Sequence, residues 1–181
     1  QTDGVVRLLE DREDTRQELN IKTSRSNRVA VIVMHPEQKA QARCWFSTPL
    51  IFSVQEVKGL EYETVILYNM ISGARQVFDD ICGGISPADL EGEPRYSRPR
   101  DRQDRSAEIY RFFINALYVA ITRATCNVYL VEQQVMHPLW DLLALTHQDA
   151  QLELQEAVSS RDEWRKTGAG GFHPQPDPAD I

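Results

Sequence analysis

Two stretches of the chain place polar side chains where they could bind a ligand. The first is SVQEVKGLEY, residues 53–62, which links two apolar runs. The second is the pair Thr122-Arg123, at the junction of a helical pattern and an apolar run. A guanidinium carries a permanent charge and several donors in one plane, which suits a phosphate oxygen. Arg123 is therefore a candidate phosphate ligand.

Each stretch also has a simpler interpretation. An arginine at the end of a helix complements the helix dipole, whatever else lies near it. The 53–62 stretch could equally be a solvated turn in which Gly59 stops a short helix. Spacing alone leaves both alternatives open.

The surrounding pattern predicts an α/β fold with a parallel sheet flanked by helices. Short apolar runs predict strands at residues 5–9, 28–34, 50–54, 64–68 and 126–131. Segments at residues 10–20, 35–44, 75–80, 136–145 and 149–158 favour helices. The run RVAVIVM at 28–34 is too apolar for an exposed strand, so it should be central. Ligands bind such sheets at the carboxyl ends of the strands, so the polar side chains of the 53–62 stretch are expected there.

A long helix is predicted from Ser106 to Arg123, running directly into the last strand. Its apolar residues recur at helical spacing, which predicts a stripe facing the core. The stripe consists of Ile109, Phe112, Phe113, Ala116, Leu117, Ala120, Ile121 and Ala124.

Composition limits the possible functions. A chain of 181 residues fits one domain, predicted at 1–165, with a flexible tail at 166–181. The formal charge of −7 means that any contact with nucleic acid must be local. No apolar run is long enough for a membrane span, and no signal peptide is evident. The three cysteines are widely spaced, which favours a reducing compartment: the cytoplasm or, in a eukaryote, the nucleus. Four scattered histidines give no metal site, and without an initiating Met the chain reads as a fragment of a longer protein.

Together the two polar stretches resemble motifs of superfamily 1 helicases of the UvrD/Rep type. Members carry T-x-H-x-x-KGLEF, where this chain has SVQEVKGLEY, and YVAxTRA, where it has YVAITRA at 118–124. The resemblance covers about residues 28–132 and points to the C-terminal (2A) domain, a RecA-like, P-loop NTPase-like fold. Such a domain forms one half of an ATP site.

The resemblance implies a role for each matching residue. Arg123 corresponds to the family arginine that reaches the γ-phosphate of ATP. Glu61 corresponds to a glutamate near the nucleotide sugar, and Lys58 and Gly59 shape that ATP-binding loop. Ser53 and Gln55 stand where the family's Thr and His touch single-stranded DNA. Tyr118 and Thr122 are expected to brace the helix end against the partner domain.

The chain also departs from the family pattern. Ser53 and Gln55 replace the usual Thr and His, and FFIN at 112–115 replaces a frequent E-E-R-R. The chain has no GxxxxGK[ST] phosphate loop and no acidic magnesium-binding strand end. We therefore expect ATP and Mg²⁺ to be held by an N-terminal RecA-like domain of the same protein, and this chain alone to be inactive.

An arginine-rich loop at about 83–105 precedes the long helix. It contains Arg95, Arg98, Arg100, Arg102 and Arg105. It could clamp nucleic acid, or it could be a solvated loop that Asp101 and Asp104 partly neutralise. Both alternatives stay open.

The sequence thus predicts the second motor domain of an ATP-dependent DNA helicase or translocase that moves on single strands. The alternative is a non-catalytic interaction or regulatory module on a helicase scaffold. A self-sufficient nucleotide-binding enzyme is disfavoured because the phosphate loop is missing.

Overall fold

In the computed structural model, residues 4–83, 85–90 and 105–146 are described. Most of the predicted arginine-rich loop, the helix predicted at 149–158 and the tail predicted at 166–181 lie outside the described residues. Within the described part, no helix is both long and apolar enough to cross a membrane.

The fold is a five-stranded, fully parallel sheet with helices packed against it, so the α/β prediction is confirmed. The strands are β1 (Val6–Glu10), β2 (Val29–Val33), β3 (Ile51–Ser53), β4 (Tyr62–Tyr68) and β5 (Ala124–Glu132). The helices are α1 (Glu13–Thr23), α2 (Gln38–Arg43), α3 (Arg75–Cys82), α4 (Arg105–Ile121) and α5 (Pro138–Leu142). All five predicted strands form, each within a few residues of its expected bounds.

The spatial order of the strands is β1-β5-β4-β2-β3. The strand β2 pairs with β4 on one side and with β3 on the other, which confirms its predicted interior position. Its residues from Ala30 to Val33 are completely buried. A parallel strand covered on both faces needs such a continuous apolar run, which explains why this sequence sits inside the sheet.

Alternate residues of the central strands point to two different layers. One layer contains Ile32, Val65 and Leu67, which share a core cluster with Leu117 of α4 and Phe78 of α3. On the other face, Phe46 packs edge-on against Tyr68 of β4 with ring centroids 5.4 Å apart. The sheet is therefore covered on both sides.

The predicted core-facing stripe of α4 is correct only for its second half. Ala116, Leu117 and Ala120 are buried, whereas Ile109 and Phe112 are 48% and 46% exposed. A 17-residue helix is about 25 Å long, while the five residues of β2 span only about 17 Å. The first turns of α4 thus lie over the segment that follows β2, where less apolar surface is available to cover them.

Candidate nucleotide half-site and strand-contacting edge

The connection between α4 and β5 is only two residues long. The helix ends at Ile121 and the strand begins at Ala124, so Thr122 and Arg123 alone form the corner. The Thr122 backbone N–H donates to the Tyr118 carbonyl at 3.0 Å, and its hydroxyl donates to the Val119 carbonyl at 3.0 Å. These bonds satisfy carbonyls that a helix end leaves without partners and fix the direction of the corner.

The guanidinium of Arg123 is held by three hydrogen bonds. Its Nε donates to the Val119 carbonyl at 3.1 Å, one terminal nitrogen to the Leu60 carbonyl at 3.3 Å, and the other to the Thr122 hydroxyl at 3.2 Å. The contact with Val119 places a cation beside the last turn of α4, where it complements the helix dipole, as the simpler interpretation expects. The residue remains half-buried, at the surface of the domain.

The fold brings the two polar stretches side by side. The backbone N–H of Tyr62 donates to the carbonyl of Arg123 at 2.9 Å, and the Thr125 hydroxyl donates to the Tyr62 carbonyl at 3.3 Å. Tyr62 is also the sheet partner of Ala124. Glu61 and Arg123 each precede this pair by one residue, and they are therefore neighbours at the amino edge of the sheet.

The 53–62 stretch does not stay at one edge of the sheet. Ser53 ends β3 at the carboxyl edge, and Glu61 precedes β4 at the amino edge. The expectation that all its polar side chains gather at the carboxyl edge is therefore wrong for Glu61. Between these ends the loop crosses one face of the sheet, where Val54 and Val57 are buried in the core cluster. One loop connects the two edges.

Within this loop, three predicted site residues are exposed. Lys58, Gly59 and Glu61 all lie at the surface on the approach to the amino edge. Gly59 has φ of +81°, a left-handed conformation that a side chain disfavours, and no atom lies within 4 Å of where a Cβ would be. The glycine is therefore required by the backbone turn and not by crowding.

Ser53 has an internal partner. Its hydroxyl bonds a Glu56 carboxylate oxygen at 3.1 Å, its backbone N–H donates to the same oxygen at 2.8 Å, and its exposed fraction is 0%. The predicted contact of Ser53 with single-stranded nucleic acid is therefore not supported, because its hydroxyl is buried and engaged. Gln55, two residues on, is exposed at the same edge and stays a candidate.

Glu56 is a residue that the sequence reasoning missed. Its carboxylate also accepts from the Lys39 ammonium of α2 at 2.7 and 2.8 Å, which joins the segments that follow β2 and β3. The bond from Lys39, followed by that from the Ser53 backbone, lowers the pKa of Glu56 to about 2. The signal was present: Ser53-Val-Gln-Glu56 has the S-x-x-E spacing with which a side chain reaches back to the first residue of a turn.

The same device recurs after β2. The backbone N–H of His35 donates to the Gln38 side-chain oxygen at 2.9 Å, again three residues ahead. The segments that follow β2 and β3 are thus each fixed by a side chain that turns back on the chain.

A second missed residue is Glu132, at the end of β5. It is completely buried and accepts from the backbone N–H groups of Ile71 and Ser72, each at 2.9 Å. Burial raises the pKa of its carboxyl group, although these hydrogen bonds act in the opposite direction. Glu132 therefore fixes the turn that follows β4, and its only sequence signal is an acid at the end of an apolar run.

Tyr118 and Thr122 lie on the outer surface of the corner. Tyr118 is 66% exposed, so it is not a core aromatic residue. Thr122 is also exposed, although its hydroxyl bonds the helix end. Their expected contact with a partner domain stays a prediction.

Among the described residues, no group of three or more His, Cys, Asp and Glu side chains is placed to hold a metal ion. Comparisons of the chain with protein-family models and with curated proteins find no match.

Proposed function

We propose that this chain is the RecA-like second motor domain of an ATP-dependent DNA helicase or translocase of the UvrD/Rep type. The observation that carries the proposal is the contact between its two motif-bearing stretches. Residues 63 positions apart meet where the Arg123 guanidinium bonds the Leu60 carbonyl. This adjacency supports a single site that includes Arg123, Glu61 and Lys58.

In this proposal the site is one half of an ATP-binding site. An N-terminal RecA-like domain of the same protein supplies the phosphate loop and the Mg²⁺ ligands. When the two domains close on ATP, Arg123 moves onto the γ-phosphate and stabilises the charge that develops in the transition state. Glu61 lies beside the nucleotide sugar, and Tyr118 and Thr122 face the partner domain. The protein works where DNA is found, in the cytoplasm or, in a eukaryote, the nucleus.

The resting contacts of Arg123 suggest how ATP binding reaches the nucleic acid. To contact a phosphate, the guanidinium gives up the Leu60 carbonyl, which belongs to the loop that crosses the sheet. The other end of that loop carries Gln55 at the carboxyl edge, beside the Glu56–Lys39 ion pair. In this proposal, nucleotide-dependent release of Leu60 is the step that links ATP binding to the loop that carries Gln55.

A non-catalytic interaction module remains the second candidate. It is favoured by exposed apolar side chains on α4, which include Phe112 and Ile114 of the FFIN segment. Such residues suit a docking face better than a motor surface. A module of this kind would bind a partner without turning over ATP.

ATPase assays separate the two candidates. The isolated 181-residue chain should show no turnover, because half of the site is missing. A protein that also contains the N-terminal domain should hydrolyse ATP with Mg²⁺ and be stimulated by single-stranded DNA. Robust turnover by the isolated chain would refute the half-site, and absence of turnover by the longer protein would favour the interaction module.

A further inference from the structure

The exposed first half of α4 forms an aromatic surface with the residue that follows β2. The ring of Phe112 stacks on that of His35, with an interplanar angle of 9° and centroids 6.4 Å apart. Phe113 meets both rings edge-on, at 5.4 Å from Phe112 and 5.9 Å from His35. We call His35, Phe112, Phe113 and the adjacent Ile109 the aromatic platform.

The platform is rigidly held although it is exposed. Phe113 also packs edge-on against Phe78, which is completely buried, with centroids 5.8 Å apart. His35 is fixed through its backbone bond to Gln38. The Phe112 ring therefore lies parallel to the His35 ring, and nearly half of the residue is open to solvent.

The platform lies at the same edge of the sheet as Gln55. In the sheet Val33 pairs with Ser53, and His35 and Gln55 each follow that pair by two residues. The Lys39–Glu56 ion pair joins the two segments just beyond. Ligands of parallel α/β sheets bind at this carboxyl edge.

The charge around the platform selects among ligands. Glu108 lines a shallow depression together with Ile109, Phe112 and Phe113. A carboxylate at its rim disfavours phosphate, and the rest of the lining is apolar and largely aromatic, so the depression suits a flat group that is held by its face. A nucleobase is such a group, and stacking on an aromatic side chain is how single strands are held without regard to sequence.

We propose that one base of a single strand stacks on Phe112, while the sugar-phosphate backbone passes on the Gln55 side, away from Glu108. This site deepens the proposed function and rests on its claim that the carboxyl edge follows a single strand. At residues 112–115 this chain has FFIN where the family frequently has E-E-R-R. In the proposed site, an aromatic side chain that contacts a base thus stands where the family has charged side chains.

Binding by the 181-residue chain tests the site with two fluorescein-labelled oligonucleotides. One is oligo(dT) of about 20 nucleotides, enough to cover a typical site, and the other has the same length and charge but abasic sugars. Phe112→Leu keeps an apolar side chain and removes the ring. Phe112→Trp keeps a ring. The matched control is Ile114→Leu, since Ile114 is similarly exposed (43%) on the same helix.

Fluorescence anisotropy should show that Phe112→Leu weakens oligo(dT) binding by roughly 5- to 150-fold, the range for loss of one stacked base. Binding of the abasic strand should change less than about twofold, while Phe112→Trp and Ile114→Leu should bind both strands as the unmodified chain does. On irradiation, a strand that contains 5-iododeoxyuridine should cross-link to Phe112.

Equal affinity for both strands, or no binding of oligo(dT), would overturn the site. Self-association that Phe112→Leu abolishes, with no preference between the strands, would make the platform a protein interface instead. The ATPase assay is independent of these results. DNA-stimulated turnover with no base-dependent binding would refute the platform alone, whereas base-dependent binding without turnover would refute the motor alone.

Discussion

Substitution of Ser53 tests whether this motif residue stabilises the fold or contacts a ligand. Its hydroxyl is completely buried and bonds Glu56 at 3.1 Å. Ser53→Ala removes that bond but leaves Glu56 with the Ser53 backbone N–H and Lys39, so no polar group is orphaned. The expected loss is about 1 kcal/mol of unfolding free energy, which lowers the ratio of folded to unfolded chain about fivefold.

Urea unfolding measures this loss, and anisotropy with oligo(dT) measures binding. Ser53→Ala should leave oligo(dT) affinity within about twofold, since the removed atom has no exposed surface. Ser53→Thr restores the residue usual in the family but adds a methyl group to a filled site, at a cost of about 1–3 kcal/mol. Tenfold weaker binding by Ser53→Ala at unchanged stability would mean that the hydroxyl touches nucleic acid and that the burial argument fails.

Substitutions at two further positions test other parts of the scaffold. Glu132→Ala should lower the unfolding free energy by about 2–6 kcal/mol, because it orphans two N–H groups at about 1–3 kcal/mol each. Glu132→Gln, which keeps one acceptor, should lose less. Burial raises the pKa of Glu132 above its ordinary 4.5, so its contribution to stability is present below pH 4.5 and is lost as the pH rises through the raised pKa. Urea titrations across that range should show this loss in the unmodified chain and not in Glu132→Gln. Gly59→Ala should lower the unfolding free energy by about 1 kcal/mol, because alanine disfavours the positive φ of this residue, and Gly59→Asn should lower it less. An unchanged urea midpoint for both variants would mean that the turn can relax.

Periodicity and apolar runs were enough to predict the sheet. RVAVIVM is too apolar for an exposed strand, which predicted a buried parallel strand. The observed bounds of the other four strands lie within a few residues of the predicted ones. The adjacency of the two motifs did not follow from pattern alone, because it depends on β4 and β5 being neighbours in the order β1-β5-β4-β2-β3. That order is a property of tertiary packing.

The errors have local physical causes. Helical spacing marked Ile109 and Phe112 as core, but spacing cannot show how far the sheet beneath extends. The motif resemblance placed Ser53 at a nucleic-acid contact, whereas in the structure the glutamate three residues on gives its hydroxyl an internal partner. Side chains that serve the turns, such as Glu56 and Glu132, look like ordinary surface acids until their backbone partners are located.

In the proposed function, Arg123 acts on ATP that another domain holds. Its present bonds, to Val119, Leu60 and Thr122, are partly exposed, so Arg123→Ala should fold at a cost of about 1 kcal/mol. Arg111→Ala, which removes an exposed arginine from the same helix, is the matched control for lost charge.

The most direct measurement is single-turnover ATP hydrolysis, with ATP affinity measured in parallel, in a protein that contains both RecA-like domains. Arg123→Ala should slow hydrolysis by about 10³-fold or more, with ATP affinity reduced far less, and Arg111→Ala should hydrolyse normally. Hydrolysis at the unmodified rate in Arg123→Ala would contradict the account and leave this arginine as a partner of the helix dipole only.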